Sequence, residues 1–314
     1  MAAAAESAGL IHAAFFYRDD TDYLEALVPA VLDGVANGEP VLLTLPAEKL
    51  ALLGDTLGDA ATQVVMSDMA QVARNPARTF PAVDALCAQY PGHRIRFIAE
   101  PIWPGGRSDD EYGACVQNEA LWNTAFAGRD VLTLCPYDAA RLPETVLCDA
   151  RMTHPVIWRD GSPVPNGDYA DQEAFARYNQ PLPVEPSAAT YTLNAISDLS
   201  GARTFTAHYA ESVGLPAPRV GDLQLIVSEL ATNSLKYTAG GCRISLWQRG
   251  GELVCQVSDS GRLEDPLVGR RLPDPYATSG RGVFLVNALS DLVRVHTRDE
   301  GTTIQVHLQL DPSS

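Results

Sequence analysis

The sequence lacks several features that would assign it to a class at once. None of its apolar runs approaches the roughly 18 residues of a membrane-spanning helix, and no G-x-x-x-x-G-K-[ST] phosphate loop occurs anywhere in the 314 residues. The cysteines form no C-x-x-C pair, and the chain is too long to need disulfide staples. We therefore expect a soluble globular protein with buried free thiols at Cys87, Cys115, Cys135, Cys148, Cys242 and Cys255.

Positive charge is also scarce. The chain has 23 Lys and Arg against 39 Asp and Glu, for a net charge of −16. Up to Glu185 the net charge is −14, from 12 basic and 26 acidic residues, whereas from Pro186 onward it is −2, from 11 and 13. Such acidity disfavours direct binding to nucleic acid and suits a protein partner with a basic face. The first 20 residues lack the basic start of a secretory signal, so we expect a cytoplasmic protein.

Hydrophobic periodicity predicts two domains that meet near residue 180. Before that point short apolar strands alternate with amphipathic helices, which indicates a mostly parallel α/β sheet covered on both faces. The expected helices lie near 21–37, 47–58, 76–90, 110–127 and 139–150. A segment rich in Pro, Gly, Asn and Asp then marks a linker with one short helix. The rest of the chain shows an α+β pattern, with helices expected near 198–213 and 220–238 and strands after them.

The helix expected at 220–238 carries an apolar face and a polar edge. At 100° per residue, Leu223, Ile226 and Leu230 lie on the apolar face, and Glu229, Asn233 and Lys236 cluster beside it. A solvated surface is the better explanation of a lone E-x-x-x-N, because the spacing is common.

Three later motifs favour a functional role for this polar edge over a solvated surface. The stretch VSDSGR places Asp259 at the end of a strand and Gly261 two residues on. Gly280, Arg281 and Gly282 precede a helix, where backbone amides favour an anion, although a flexible turn also fits a single G-x-G. A late EGTT joins the last two strands and offers Thr302.

Taken in order, these motifs resemble the GHKL ATP-binding fold. Within that group, ARTFTAHYAESVGL, LQLIVSELATNSLKYT and GRGVFLV look most like the anti-sigma regulatory factors of the RsbW and SpoIIAB type. The resemblance implies a C-terminal α+β GHKL (Bergerat) ATP-binding sandwich over 187–314 that uses ATP and Mg²⁺.

The resemblance also implies a role for each matched residue. Asn233 would be the Mg²⁺ ligand, and Glu229 the general base for an attacking hydroxyl. Asp259 would bind the adenine amino group and Gly261 would let the base approach. Lys236, Gly280, Arg281 and Gly282 would contact the phosphates, Thr302 would add a hydroxyl on the adenine side, and residues 262–279 would form a lid.

Two positions separate the chain from related families. Arg262 stands where many GHKL proteins have the second glycine of D-x-G-x-G, which puts lid geometry and nucleotide affinity in question. Sensor histidine kinases usually have Asn at the position of Glu229 and carry a phosphoacceptor His on a separate helical domain. This chain lacks such a domain, since His208 lies in the first helix of the ATP module itself. A Glu at position 229 instead favours a Ser or Thr hydroxyl as phosphoacceptor, because a hydroxyl needs a base.

The first half resembles the MEDS sensory domain, which is related to RecA-like ATPases. The stretches that carry this likeness are IHAAFFYRDDTDYLEALVPAVLDGVANGEPVLLTLP, RFIAEPIWP, QNEALWNTAF, LCPYD and THPVI. The domain would cover 8–165, with a linker at 166–186. Without a Walker A loop, nucleotide hydrolysis is not expected there. The candidate residues for a sensory pocket are His12, Glu100, Trp103, Asn118, Glu119, Tyr137, Asp138 and His154.

The two resemblances imply a two-domain signalling regulator. The first domain would sense a small molecule or a protein. The second would act as an anti-sigma factor that phosphorylates an anti-anti-sigma protein of the STAS type on Ser or Thr. The alternatives are a non-catalytic switch in which ATP only orders the partner surface, and a histidine-kinase-like protein. A homodimer is expected, and neither nucleic acid nor membrane is an expected partner.

Overall fold

The computed structural model describes residues 9–274 and 280–310. It divides between Tyr178 and Asn179 into two compact units, which are described separately below. No helix in the described part of the chain has the length and apolar character that crossing a lipid bilayer requires.

The first unit is built on a seven-stranded sheet in the order β3-β2-β4-β5-β1-β6-β7. All neighbouring strands pair in parallel except β6 and β7, which are antiparallel. The sequence indicated a mostly parallel sheet but not the antiparallel edge strand. The strands are β1 (Ile11–Tyr17), β2 (Val41–Leu45), β3 (Val65–Asp68), β4 (Ile95–Ala99), β5 (Val131–Asp138), β6 (Val156–Arg159) and β7 (Ser162–Pro165).

Seven α-helices are described in this unit, and most lie where the hydrophobic period places them. The largest difference is the helix expected from residue 139, which begins at Glu144. The Asp138 carboxylate accepts hydrogen bonds from the amides of Ala140 and Arg141 and holds that segment in a turn instead. The helices are α1 (Asp20–Ala36), α2 (Ala47–Leu57), α3 (Met69–Val72), α4 (Thr79–Gln89), α5 (Asp109–Ala125), α6 (Glu144–Thr153) and α7 (Asp171–Tyr178).

Both faces of this sheet are covered, as the continuous apolar strands require. Phe15 and Tyr17 of β1 belong to a core that includes α1 and α2, whereas Ala14 and Phe16 belong to a second core with α5, α6 and α7. Alternate residues of a strand point to opposite faces. His12 therefore points to the same face as Ala14, beneath α5.

The second unit is a five-stranded antiparallel sheet in the order β11-β12-β10-β9-β8. Its helices pack on the sheet through a core that includes Leu223, Ile226 and Leu230 of α9. The α+β arrangement expected for this half is confirmed. The elements are β8 (Ala189–Leu193), α8 (Leu199–Ser212), α9 (Ala217–Tyr237), β9 (Cys242–Arg249), β10 (Glu252–Asp259), α10 (Gly282–Leu289), β11 (Leu292–Arg298) and β12 (Gly301–Gln309).

Candidate functional site

The second unit contains a cavity of about 240 Å³ between α9, the ends of β10 and β12, and the start of α10. Six of the residues predicted to bind a nucleotide line it, namely Asn233, Asp259, Gly261, Gly280, Gly282 and Thr302. The remaining lining is largely apolar and includes Leu230, Val257 and Ile304. An apolar pocket with a few convergent polar groups is typical of a site for a small organic ligand.

The carboxylate of Asp259 is held in place from two sides. One oxygen accepts a hydrogen bond of 2.5 Å from the hydroxyl of Ser234, and the other accepts one of 2.8 Å from the amide of Gly261. Ser234 follows Asn233 on α9, and its side chain is buried. Ser234 was not among the predicted residues, although its position next to Asn233 on the helix was available as a signal.

Thr302 fixes the segment that follows Asp259. Its hydroxyl donates to the carbonyl of Gly261 at 2.7 Å and accepts from the amide of Leu263 at 3.1 Å. These two bonds join β12 to the main chain on either side of Arg262. They involve backbone atoms of the segment, so they do not depend on the side chain at position 262.

Two glycines let the chain approach the cavity closely. A Cβ on Gly261 would lie 2.5 Å from the Thr238 methyl group, and a Cβ on Gly282 would lie 2.5 Å from Oε2 of Glu229 and 3.5 Å from the amide nitrogen of Asn233. The side chains of Glu229 and Asn233 therefore both reach the first residue of α10. This brings the predicted general base and the predicted metal ligand to one place.

Thr238 ends α9 as its C-cap and lines the same cavity. Its hydroxyl is buried and has no hydrogen-bond partner among the described residues. A buried hydroxyl without a partner is costly, so this group is available to a ligand. Thr238 was also missed, because a Thr at a helix end has an ordinary capping explanation.

Three predicted residues lie outside the described lining of the cavity. Lys236 is exposed, with its ammonium group 5.0 Å from the ring centre of Tyr237. Arg281 is the N-cap residue of α10. Glu229 contacts the start of that helix rather than the cavity wall. Of the predicted lid, residues 275–279 lie outside the described part of the chain.

The first unit contains a second polar site, which we call the histidine cluster. Its four side chains each offer one ligand atom within 4.8 Å of the others, and all are buried: His12, Glu119, Cys135 and His154. They come from β1, α5, β5 and the residue that ends α6. Burial, and to a smaller extent the neighbouring His154, lowers the pKa of His12 to about 4, so its ring is neutral at neutral pH.

Three of the predicted sensory residues thus lie together, with a cysteine that the sequence analysis had treated only as a buried thiol. Tyr137 is adjacent, with its ring centre 5.7 Å from that of His154. Asn118 and Glu119 line a small cavity of about 10 Å³ that also reaches Cys135. The pairing of β1 with β5, which places Ala14 beside Cys135, is the feature that could have revealed this cysteine.

The remaining sensory candidates have other partners. Glu100 accepts hydrogen bonds from Tyr17 at 2.7 Å and Tyr23 at 3.5 Å. Trp103 stacks under the guanidinium of Arg107, 5.0 Å from it. Asp138 caps the turn before α6 and pairs with Arg141.

Comparison with known families agrees with this geometry. Residues 11–155 match the model of the MEDS domain, described as the methanogen/methylotroph, DcmR sensory domain. Residues 194–308 match the model of the histidine kinase-like ATPase domain. The chain joins a MEDS domain to a GHKL-type ATPase domain. The cavity of the second unit therefore lies within the ATPase domain, and the histidine cluster lies within the MEDS domain.

Three solved structures match parts of the chain at low identity and low TM-score. The RsbU and RsbW domains of Rv1364c from Mycobacterium tuberculosis are 18% identical over 41% of this chain, with a TM-score of 0.31, and the match spans 33% of that chain. The catalytic domain of the histidine kinase ThkA is 11% identical over 40% of this chain and 98% of its own, with a TM-score of 0.28. Histidine kinase AdeS from Acinetobacter baumannii is 8% identical over 63% and 95%, with a TM-score of 0.24.

No curated protein sequence matches the chain significantly. The family matches support a signalling regulator with an ATPase domain of the kinase-like type.

Proposed function

We propose that the protein is an ATP-dependent anti-sigma regulator whose ATPase domain phosphorylates a partner protein on Ser or Thr. The observation that carries the proposal is the approach of Glu229 to Gly282, one helical turn from Asn233. A carboxylate beside the N-terminus of α10 lies where the helix favours phosphate groups. Such a carboxylate is placed to act on a hydroxyl that attacks a phosphoryl group.

The residues of the cavity fit a nucleotide with its magnesium ion. Asp259, held by Ser234 and Gly261, offers a fixed carboxylate acceptor for an exocyclic amino group. The unpartnered hydroxyl of Thr238 offers a further hydrogen-bonding group. The lack of side chains at Gly280 and Gly282 leaves the backbone open to phosphate, and the amide oxygen of Asn233 is a hard ligand of the kind that Mg²⁺ prefers.

Bound Mg-ATP would supply the phosphoryl group to be transferred. Glu229 would accept the proton of the substrate hydroxyl on Oε2 as that hydroxyl attacks. Asn233 would orient the metal ion, and the start of α10 would stabilise negative charge through its free amides. Arg281 and Lys236 would contribute positive charge at the entrance, with Lys236 free to turn from Tyr237 because it is exposed.

The proposed partners follow from the proposed anti-sigma and kinase function. In one state the ATPase domain would hold a sigma factor, and in another it would phosphorylate an anti-anti-sigma protein of the STAS type. The MEDS domain, proposed to cover 8–165 and to be joined through 166–186, would sense a small molecule or a protein. The protein would act in the cytoplasm as a homodimer, without direct contact to nucleic acid or membrane.

The test combines nucleotide binding with transfer. The full chain is incubated with [γ-³²P]ATP and each STAS protein of the same genome, and phosphoserine or phosphothreonine is mapped in the product. Glu229→Gln keeps the shape of the side chain but cannot accept the proton. We expect it to bind ATP like the wild type and to lose transfer by a factor of about 100 or more. Glu211→Gln, on the exposed side of α8, is the matched control.

A non-catalytic switch is the second candidate, because Glu229 does not line the cavity itself. In that case ATP would change sigma-factor binding to the same extent in Glu229→Gln and in the wild type, and no partner would gain phosphate. Phosphate on the partner that is unaffected by Glu229→Gln would rule out this glutamate as the base.

A further inference from the structure

The histidine cluster has the composition and the spacing of a metal site. Its atoms are two imidazole nitrogens, one carboxylate oxygen and one sulfur. His154 Nε2 lies 3.1 Å from Glu119 Oε2, and His12 Nε2 lies 3.4 Å from the same oxygen. Cys135 Sγ lies 3.6 Å from His12 Nε2. A tetrahedron with ordinary zinc bond lengths has edges of about 3.3 Å between nitrogen or oxygen atoms and about 3.6 Å to sulfur.

The hydrogen bonds around the cluster turn the lone pairs of both histidines inward. The amide nitrogen of Asn123 donates to the carbonyl of Thr153 at 2.8 Å, so its oxygen faces His12 Nδ1, at 3.0 Å. His12 must therefore donate from Nδ1, which leaves Nε2 with a lone pair. Outer hydrogen bonds of this kind fix the tautomer of metal-binding histidines.

The second histidine is oriented in the same way. His154 Nδ1 lies 2.7 Å from the carbonyl of Ala150, which can only accept, so this nitrogen carries the proton. Its Nε2 then faces the Glu119 carboxylate with a lone pair toward an oxygen. Neither Glu119 Oε2 nor His154 Nε2 has a hydrogen-bond partner among the described residues.

With both rings neutral, such an arrangement is unfavourable unless a metal ion lies between the acceptors. Two acceptors 3.1 Å apart repel each other, and the side chains are almost fully buried, so water does not screen them. A carboxylate and a thiolate together carry two negative charges, which a divalent ion would neutralise. The donor set of nitrogen, oxygen and sulfur suits zinc and metals with similar preferences rather than magnesium or calcium.

We propose that the histidine cluster binds one divalent transition-metal ion, zinc or a metal of the same ligand preference, in tetrahedral coordination. On binding, the thiol of Cys135 loses its proton to solvent as the metal–sulfur bond forms. The site would join β1, β5, α5 and the end of α6 of the MEDS domain through one ion. It does not depend on the proposed kinase function, because all four ligands lie in the other unit.

The test uses cobalt chloride with the full-length protein after treatment with a chelator. Tetrahedral cobalt gives intense visible bands, and a cobalt–thiolate bond adds a near-ultraviolet charge-transfer band. We expect one equivalent of cobalt to produce both, and zinc to displace it. Metal analysis of the protein as purified should show the same stoichiometry.

Three variants separate this site from adventitious binding. Cys135→Ser should lose the charge-transfer band. Asn123→Ala, which removes the hydrogen bonds to His12 and to the carbonyl of Thr153 but no ligand atom, should weaken cobalt binding by about 10–100-fold. Cys115→Ser is the control, because Cys115 is an equally buried free thiol of the same unit outside the cluster. A charge-transfer band that survives Cys135→Ser, or a stoichiometry well below one, would overturn the proposal.

The wild type supplies a second test in case the variants fold poorly. Zinc should raise its thermal unfolding midpoint, and a chelator should lower it again. An unfolding midpoint that responds to neither would also contradict the proposal.

Discussion

Ser234 and Asp259 form a hydrogen bond of 2.5 Å between the last turns of α9 and the end of β10. The Ser234 hydroxyl, which also contacts the carbonyl of Leu230 at 3.1 Å, orients the carboxylate oxygen of Asp259 that the Gly261 amide does not reach. This bond thereby couples α9 to the end of β10 at the cavity proposed to bind ATP. Loss of this bond should affect ligand binding without affecting the chemistry at Glu229.

Replacing Ser234 by Ala should weaken ATP binding by about fivefold, since one hydrogen bond is worth about 1 kcal/mol. Ser228→Ala is the matched control, because Ser228 lies on the same helix and donates only to the carbonyl of Gln224. Calorimetric titration with Mg-ATP measures both. Equal affinity in the wild type and Ser234→Ala would show that Asp259 needs no such support.

Replacing Gly301 by Ala should destabilise the second unit. A Cβ at this position would lie 2.3 Å from the backbone carbonyl oxygen of Asp259, which cannot move aside as a flexible side chain could. Gly250→Ala provides the comparison, since Gly250 also has a positive φ of 58° but no atom within 4 Å of its Cβ position. We expect the loss at Gly301 to exceed that at Gly250 by about 2 kcal/mol or more in urea unfolding.

Replacing Arg262 by Ala should change little, although this position departs from the common GHKL pattern. The Arg262 side chain is exposed and pairs with the even more exposed Asp299, so its removal should cost less than about 1 kcal/mol. ATP affinity should stay within about twofold, because the segment is held by backbone bonds to Thr302. Thr302→Val removes those bonds and should weaken binding by about tenfold in the same titration.

The stability of the first unit should depend on the charge of Glu100. Burial raises the pKa of Glu100 from 4.5 to about 7, against the opposing hydrogen bond from Tyr17. Between pH 4.5 and about 7, folding is therefore accompanied by the uptake of a proton. The stability contributed by the neutral acid is complete below pH 4.5 and is lost as the pH rises through about 7.

Glu100→Gln should remove this dependence, because an amide keeps the shape but does not ionise. Relative to the wild type, the variant should gain on the order of 3 kcal/mol between about pH 4.5 and 8. Urea unfolding followed by tryptophan fluorescence across that range measures the difference. Glu48→Gln, at an exposed position of α2, should show no such gain. A constant difference between Glu100→Gln and the wild type would contradict the expected ionisation.

Local signals in the sequence determined the secondary structure and the order of the ATPase motifs. The apolar period of α9, the glycines before α10 and the turn after β10 each act over a few residues, so they could be recognised without coordinates. In the structure Asn233, Asp259 and Thr302 of these motifs line one cavity. The helix expected from 139 began later because the Asp138 cap, a side-chain interaction, overrides the hydrophobic pattern.

Only the tertiary structure decided which polar residues meet. His12 and His154 are 142 positions apart, and their meeting with Glu119 and Cys135 depends on β5 pairing beside β1 and on α5 packing over that face. Ser234 likewise gained its partner because β10 ends beside α9. Periodicity fixes the face on which a side chain lies, but the strand order and register of the sheet fix its neighbours, and no local pattern encodes these.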